Sequence, residues 1–181
     1  MRVVSLRVLA VVAVLGTVAP AEARDTKAWN TASNIGRDGL VVAALGLPAI
    51  NGDWHGDLQA GASIIGTFAL TTGLKEIFPE TRPDGSDRKS FPSGHAGTAF
   101  AAAATLQNRY GWQVGIPAQV VAAFVGLSRV QARKHHWYDV VAGAAIGETT
   151  GFLLTSKRND RVRVLPWGDT QGGGVVVGMR F

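Results

Sequence analysis

Residues 94 to 108 read GHAGTAFAAAATLQN, and on this stretch the fold turns. Alanine has the highest helix propensity of any residue, so the run through Ala101 to Ala104 predicts a helix. Four more segments share its apolar, Ala- and Gly-rich character: roughly 38 to 50, 58 to 78, 113 to 128 and 138 to 156. Breakers separate them, with Asn51-Gly52-Asp53 after the first, Pro79 after the second, Asn108 to Gly111 after the third, and Ser128 to His136 before the last. The expected fold is mostly α, a single bundle of about five helices. A chain of 181 residues supports one such core and not two comfortable ones.

Both ends differ from this body. Residues 1 to 23 carry Arg2 and Arg7, an apolar run from Val8 to Val18, and Ala21-Glu22-Ala23, the layout of a cleaved signal peptide or, alternatively, a first membrane helix. Residues 24 to 158 would form the catalytic domain. Beyond them, residues 159 to 181 alternate over Arg161 to Leu165, can turn at Gly172 to Gly174, and end in a β-branched run closed by Phe181. That pattern predicts a β-hairpin covering an apolar side of the bundle, rather than an outer-membrane address carried by Phe181. The chain has no cysteine, so packing alone must hold an exported protein together.

A formal charge of +5 points to anionic partners. Nucleic acid is not among them, because the basic residues form no stripe with interleaved aromatics. The uninterrupted apolar runs are roughly 12 to 17 residues, short of the about 20 that a bilayer crossing needs. With Glu148 inside the last segment, the expectation is a soluble or membrane-peripheral bundle, membrane association staying possible.

The breakers also hold most of the chemistry-bearing residues. Three segments stand out: Lys75-x6-Arg82-Pro83, Pro92-Ser93-Gly94-His95 and Ser128-Arg129-x5-His135-x3-Asp139. Together they offer three cations, a small-residue turn and two histidines. Phosphate-ester hydrolysis needs a nucleophile, a proton donor for the leaving oxygen, and positive charge around the equatorial oxygens. His135 and Asp139 are four apart and share a helical face, where the carboxylate could take the Nδ1 proton and leave Nε2 as an in-line nucleophile. Arg82 and Arg129 suit bidentate contact with phosphate oxygens, and Lys75 acts more as a point charge.

In order and spacing the three segments resemble the signature of the type 2 phosphatidic acid phosphatase superfamily, which includes class A acid phosphatases and vanadium haloperoxidases. The resemblance runs from Lys75 to Asp139. It implies a phosphatase acting on phosphomonoesters or lipid phosphates and diphosphates through a phosphohistidine on His135. It also implies His95 as general acid, and Ser93 and Gly94 placing a hydroxyl and a backbone N–H on the phosphate. No cofactor is implied, and vanadate is expected to bind the same cradle as an inhibitor. His136 falls one step outside the spacing and is assigned to packing or substrate contact, while Arg88, Lys89, Arg133 and Lys134 read as solvated loop charges. The group Asp53, His55 and Asp57 reads as a turn and not as a metal site. Two alternatives stay open: a vanadate-dependent haloperoxidase, and a non-catalytic anion-binding envelope protein.

Overall fold

The computed structural model describes residues 26 to 158 and two strands, 162 to 169 and 172 to 179. The signal-peptide reading of residues 1 to 23 and Phe181 lie outside the described residues. Five helices follow one another: α1 (Thr26–Ile50), α2 (Trp54–Ile77), α3 (Gly94–Tyr110), α4 (Trp112–Gln131) and α5 (Trp137–Leu154). A hairpin of β1 (Val162–Asp169) and β2 (Gly172–Met179) comes last, antiparallel, with Val162 opposite Met179. The mostly helical reading and the hairpin both hold.

Side-chain caps start the helices where the sequence changes character. Asp53 accepts a hydrogen bond from Gly56 N and opens α2, and Ser93 accepts from Ala96 N and opens α3. The turn from α3 to α4 is the single residue Gly111, whose φ of 86° favours glycine. At α5 the Asp139 carboxylate reaches back and accepts from the His136 N–H.

One boundary differs from expectation. The apolar segment beginning at residue 38 belongs to a helix that starts at Thr26. The added turns carry Asn30, Ser33, Asn34 and Arg37, at spacing i, i+3, i+4 and i+7, so they share one face. That face is turned inward and is hydrogen-bonded there, which lets a polar stretch continue the helix.

The centre of the bundle is α3. Ala99, Ala101, Ala102, Ala103 and Ala104 are all fully buried, so this helix is enclosed on more than one side. Its closest neighbour is α5, through Gly143, Gly147 and Gly151, one residue per turn. A Cβ at Gly147 would lie 2.2 Å from the Gly97 carbonyl oxygen, and one at Gly143 would lie 2.3 Å from that of Ser93. Backbones that close leave no room for any side chain, and so α5 holds the Ser93 turn directly.

The interior is small and polar, the exterior large and apolar. Ser63, Thr67, Thr71, Thr105 and Ser128 are buried, while Ile35, Ile65, Phe68, Trp112, Trp137 and Leu153 are each more than 60 % exposed. Polar residues interrupt the apolar runs but face inward, so helices of 17 to 25 residues present apolar outer faces. Among the described residues α4 is long and apolar enough to cross a bilayer. Glu148, half-buried, pairs with Gln119 of α4. Strand β1 pairs with β2 and contacts α5.

Candidate active site

The end of α2, the loop 78 to 93, the start of α3, the end of α4 and the start of α5 meet at one end of the bundle. Two backbone locks assemble them. Ser93 N donates to Asp139 O at 2.9 Å, fixing the Pro-Ser-Gly-His turn on α5, and Lys75 Nζ donates to the carbonyls of Lys89, Ser90 and Pro92. Lys75 thus spends its three protons on the loop that leads into the turn. It holds the cradle's wall, and reaching a phosphate would require it to release one of those carbonyls.

His135 is 2 % exposed and lies between a cation and a carboxylate. Arg82 Nη1 sits 3.2 Å from Nε2, and Asp139 Oδ2 sits 3.5 Å from Nδ1. A guanidinium can only donate, so Nε2 carries the lone pair and Nδ1 the hydrogen, facing the carboxylate. Burial lowers the imidazole pKa to about 4; Asp139 opposes this, and Arg82, Arg129 and Lys75 push it further down. The ring is neutral at neutral pH. Asp139 is itself fully buried, and its Oδ2 accepts from Ser90 Oγ at 2.5 Å and from His136 N at 2.9 Å.

The two arginines of the motifs are placed differently. Arg82 donates Nε to Asp87 and Nη1 to the Lys134 carbonyl as well as to His135. Arg129 is 4 % exposed, and its Nη1 donates to Asn30 Oδ1 and Ser33 Oγ. Among the described residues no carboxylate lies within 4 Å of Arg129; Asp84 acts on it from farther away.

His95, in the first turn of α3, is half-buried. Its Nε2 lies 2.7 Å from Arg37 Nη1 and 2.8 Å from Asn34 Oδ1. Ser93 is fully buried, its Oγ engaged as the α3 cap. At Gly94 a Cβ would meet nothing nearer than Thr71 Oγ1 at 3.7 Å, so packing does not demand glycine there.

The sequence reading missed Ser90 and the α1 residues Asn30, Ser33, Asn34 and Arg37. The signal is the polar i, i+3, i+4, i+7 pattern that precedes the apolar run at 38. His136 stacks on Tyr138 with rings 5.1 Å apart and lies behind the site, in keeping with a packing role. Glu80, His136 and Asp139 are the one group among the described residues whose ligand atoms could converge on a cation. A cation there would compete with Ser90 and the His136 N–H for Asp139 Oδ2. Asp53, His55 and Asp57, expected in a turn, are instead the cap and first helical turn of α2, and Asp53 forms an ion pair with Arg109.

Arginine, lysine and histidine side chains thus gather around capped helix starts at one end of a helical bundle. The chain belongs to the PAP2 superfamily, whose family model matches residues 57–163. It is 41% identical over 94 residues to the lipid A 1-phosphatase of Porphyromonas gingivalis, covering 48% of this chain and 21% of that protein. It is 33% identical over 113 residues to the lipid A 4'-phosphatase of Helicobacter pylori, covering 56% of each. A decaprenylphosphoryl-5-phosphoribose phosphatase of Mycobacterium tuberculosis is 34% identical over 137 residues, covering 68% of this chain and 73% of that protein. In structure the chain resembles Aquifex aeolicus LpxE, with a TM-score of 0.62 at 22% identity, covering 71% of this chain and 84% of that one. That likeness supports the shared helical bundle.

Proposed function

We propose that this chain is a phosphoric ester hydrolase acting on lipid phosphates through a phosphohistidine. One observation carries the reading: His135 is buried and neutral, with its Nε2 lone pair directed at a guanidinium and its Nδ1 side at Asp139. Where Arg82 now meets Nε2, a phosphoryl group drawn in by Arg82 and Arg129 would be met by the same lone pair. His135 Nε2 bonds to phosphorus as the ester P–O bond breaks. The leaving oxygen keeps the electron pair and takes a proton from His95, whose pKa burial and then Arg129 and Arg37 lower to about 3, so that the bound anion's charge must favour its protonated form. Water then attacks the phosphorus, gives a proton back to His95, and releases phosphate as the P–N bond breaks.

No step of this scheme calls on a metal, and vanadate, which adopts five-coordinate geometry, should inhibit as a transition-state mimic. The relatives' names support a lipid substrate. So does the inverted surface, whose apolar side chains would face a membrane rather than water. An export signal at residues 1 to 23 would set the site on the periplasmic side.

The test is His135→Ala in the purified full chain in detergent. It should lose several orders of magnitude in turnover, because the covalent route is removed. A rapid quench should trap an acid-labile phosphoprotein in the wild type alone. More than about a tenth of wild-type activity in the variant would reject the nucleophile. Activity lost in EDTA and restored by a divalent ion would reject the metal-free scheme.

A further inference from the structure

His95 Nε2 has two neighbours with opposite demands. Arg37 Nη1, at 2.7 Å, can only donate and needs a bare nitrogen; Asn34 Oδ1, at 2.8 Å, can only accept and needs a proton there. One nitrogen cannot satisfy both. With Nε2 bare, Arg37 holds the ring and His95 has no proton at Nε2 to deliver. With Nε2 protonated, the ring donates to Asn34, and the Arg37 N–H faces another N–H and is repelled, by charge as well when the ring is an imidazolium, and must find another acceptor.

Arg37 has little else to hold it. Its only other partner among the described residues is Asp38, whose side chain is 61% exposed, so that pair is solvent-screened and weak. The Arg37 side chain is 27% exposed, at the mouth of the site. The scheme that makes His95 the acid also places His95 beside the leaving oxygen, opposite His135. A guanidinium displaced from Nε2 therefore lies on the leaving-group side of the reacting phosphorus. Arg82 and Arg129 answer for the phosphoryl group itself, and Arg37 stands outside that set.

We propose that Arg37 is a specificity-determining residue that favours substrates whose leaving group is itself a phosphate, that is, diphosphates over simple monoesters, by taking the leaving phosphate's charge as it vacates His95 Nε2. This rests on the phosphatase reading above. The chemistry balances: the bridging P–O bond breaks, the departing phosphate monoester keeps the electron pair and takes the His95 proton, and Arg37 meets its remaining charge.

The test uses a matched pair of probes, the monophosphate and the diphosphate of one polyprenyl alcohol, with the full chain in detergent. Arg37→Gln should lose about 10- to 100-fold more kcat/KM on the diphosphate than on the monophosphate, as expected for one charge-assisted hydrogen bond. Arg37→Lys, which keeps charge and stem, should recover part of that ratio and covers the case in which the glutamine variant folds poorly. Equal losses on both probes in both variants would overturn the proposal, leaving Arg37 a residue that only holds His95. A wild type inert to both probes would overturn the phosphatase reading and this inference with it.

Discussion

Two buried arginines mark opposite ends of the bundle. Arg109 lies fourteen residues beyond His95 on α3, about 21 Å at 1.5 Å per residue. Both terminal nitrogens of its guanidinium are paired within the chain, with Asp53, Gln59 Oε1 and the Ser156 carbonyl. Arg129 is as deeply buried, at the catalytic end, yet among the described residues its hydrogen bonds go to the neutral oxygens of Asn30 and Ser33, with Asp84 farther off. Burying a charge without a counter-ion costs several kcal/mol. The far end meets that cost with its own carboxylate, so Arg109 is a staple. The catalytic end has no carboxylate that close among the described residues, and under the proposed function the substrate phosphate would supply the missing charge.

Exchanging what the two ends lose breaks this comparison most directly. Arg129→Ala should cut turnover by about 10²- to 10³-fold, the worth of one oxyanion donor, with thermal stability held or raised. Arg109→Ala should do the reverse. It strands Asp53 at the bundle edge and should cost about 2 to 3 kcal/mol of stability, somewhat under the value for a fully buried pair, while folded molecules turn over normally. Thermal melts paired with kcat/KM read both. Loss of activity without loss of stability in Arg109→Ala would erase the distinction.

A smaller effect sharpens it, by asking whether the ends are one folding unit. Helices α3 and α5 each carry residues of both ends, and their seam passes through Gly147. Gly147→Ala forces a Cβ against the Gly97 carbonyl and should cost about 1 to 3 kcal/mol, in a single transition that releases both ends together. Two separable transitions by hydrogen exchange would show the ends to be independent.

The smallest effect is in pH. His135 is held at about 4, below its ordinary 6.5, so the unfolded chain binds the extra proton first. Stability from the catalytic end should therefore fall as pH drops from about 6.5 towards 4, and the acid limb of kcat/KM should sit near the lower figure. At the far end burial pushes Asp53 up, but Arg109 and the Gly56 N–H outweigh it and hold it below its ordinary 3.8. That end should weaken only in stronger acid. A rate limb at 6.5 would place His135 in water rather than in the core.

Much of the bundle could be read from the sequence because alanine-rich segments and their breakers are local signals. The motif residues could be read because their spacing is fixed along the chain. Three things could not. The inward polar face of α1 looks like a break in an apolar run until its partners Arg129 and His95, on other helices, are in view. The same inversion hid the apolar exterior, since run length does not say which way a serine or threonine points. And Lys75 looked like a free cation, because three carbonyl acceptors fourteen to seventeen residues away leave no mark on its own surroundings.

Asp139 Oδ2 receives Ser90 Oγ, begins α5 through the His136 N–H, and faces His135 Nδ1. One oxygen atom serves as loop anchor, helix start and orienter of the nucleophile. Substitution at 139 therefore has no purely chemical effect and no purely architectural one. A lineage drifting at this position would have to change its helix start, its loop and its reaction in the same step, which leaves it almost no neutral neighbours to drift through.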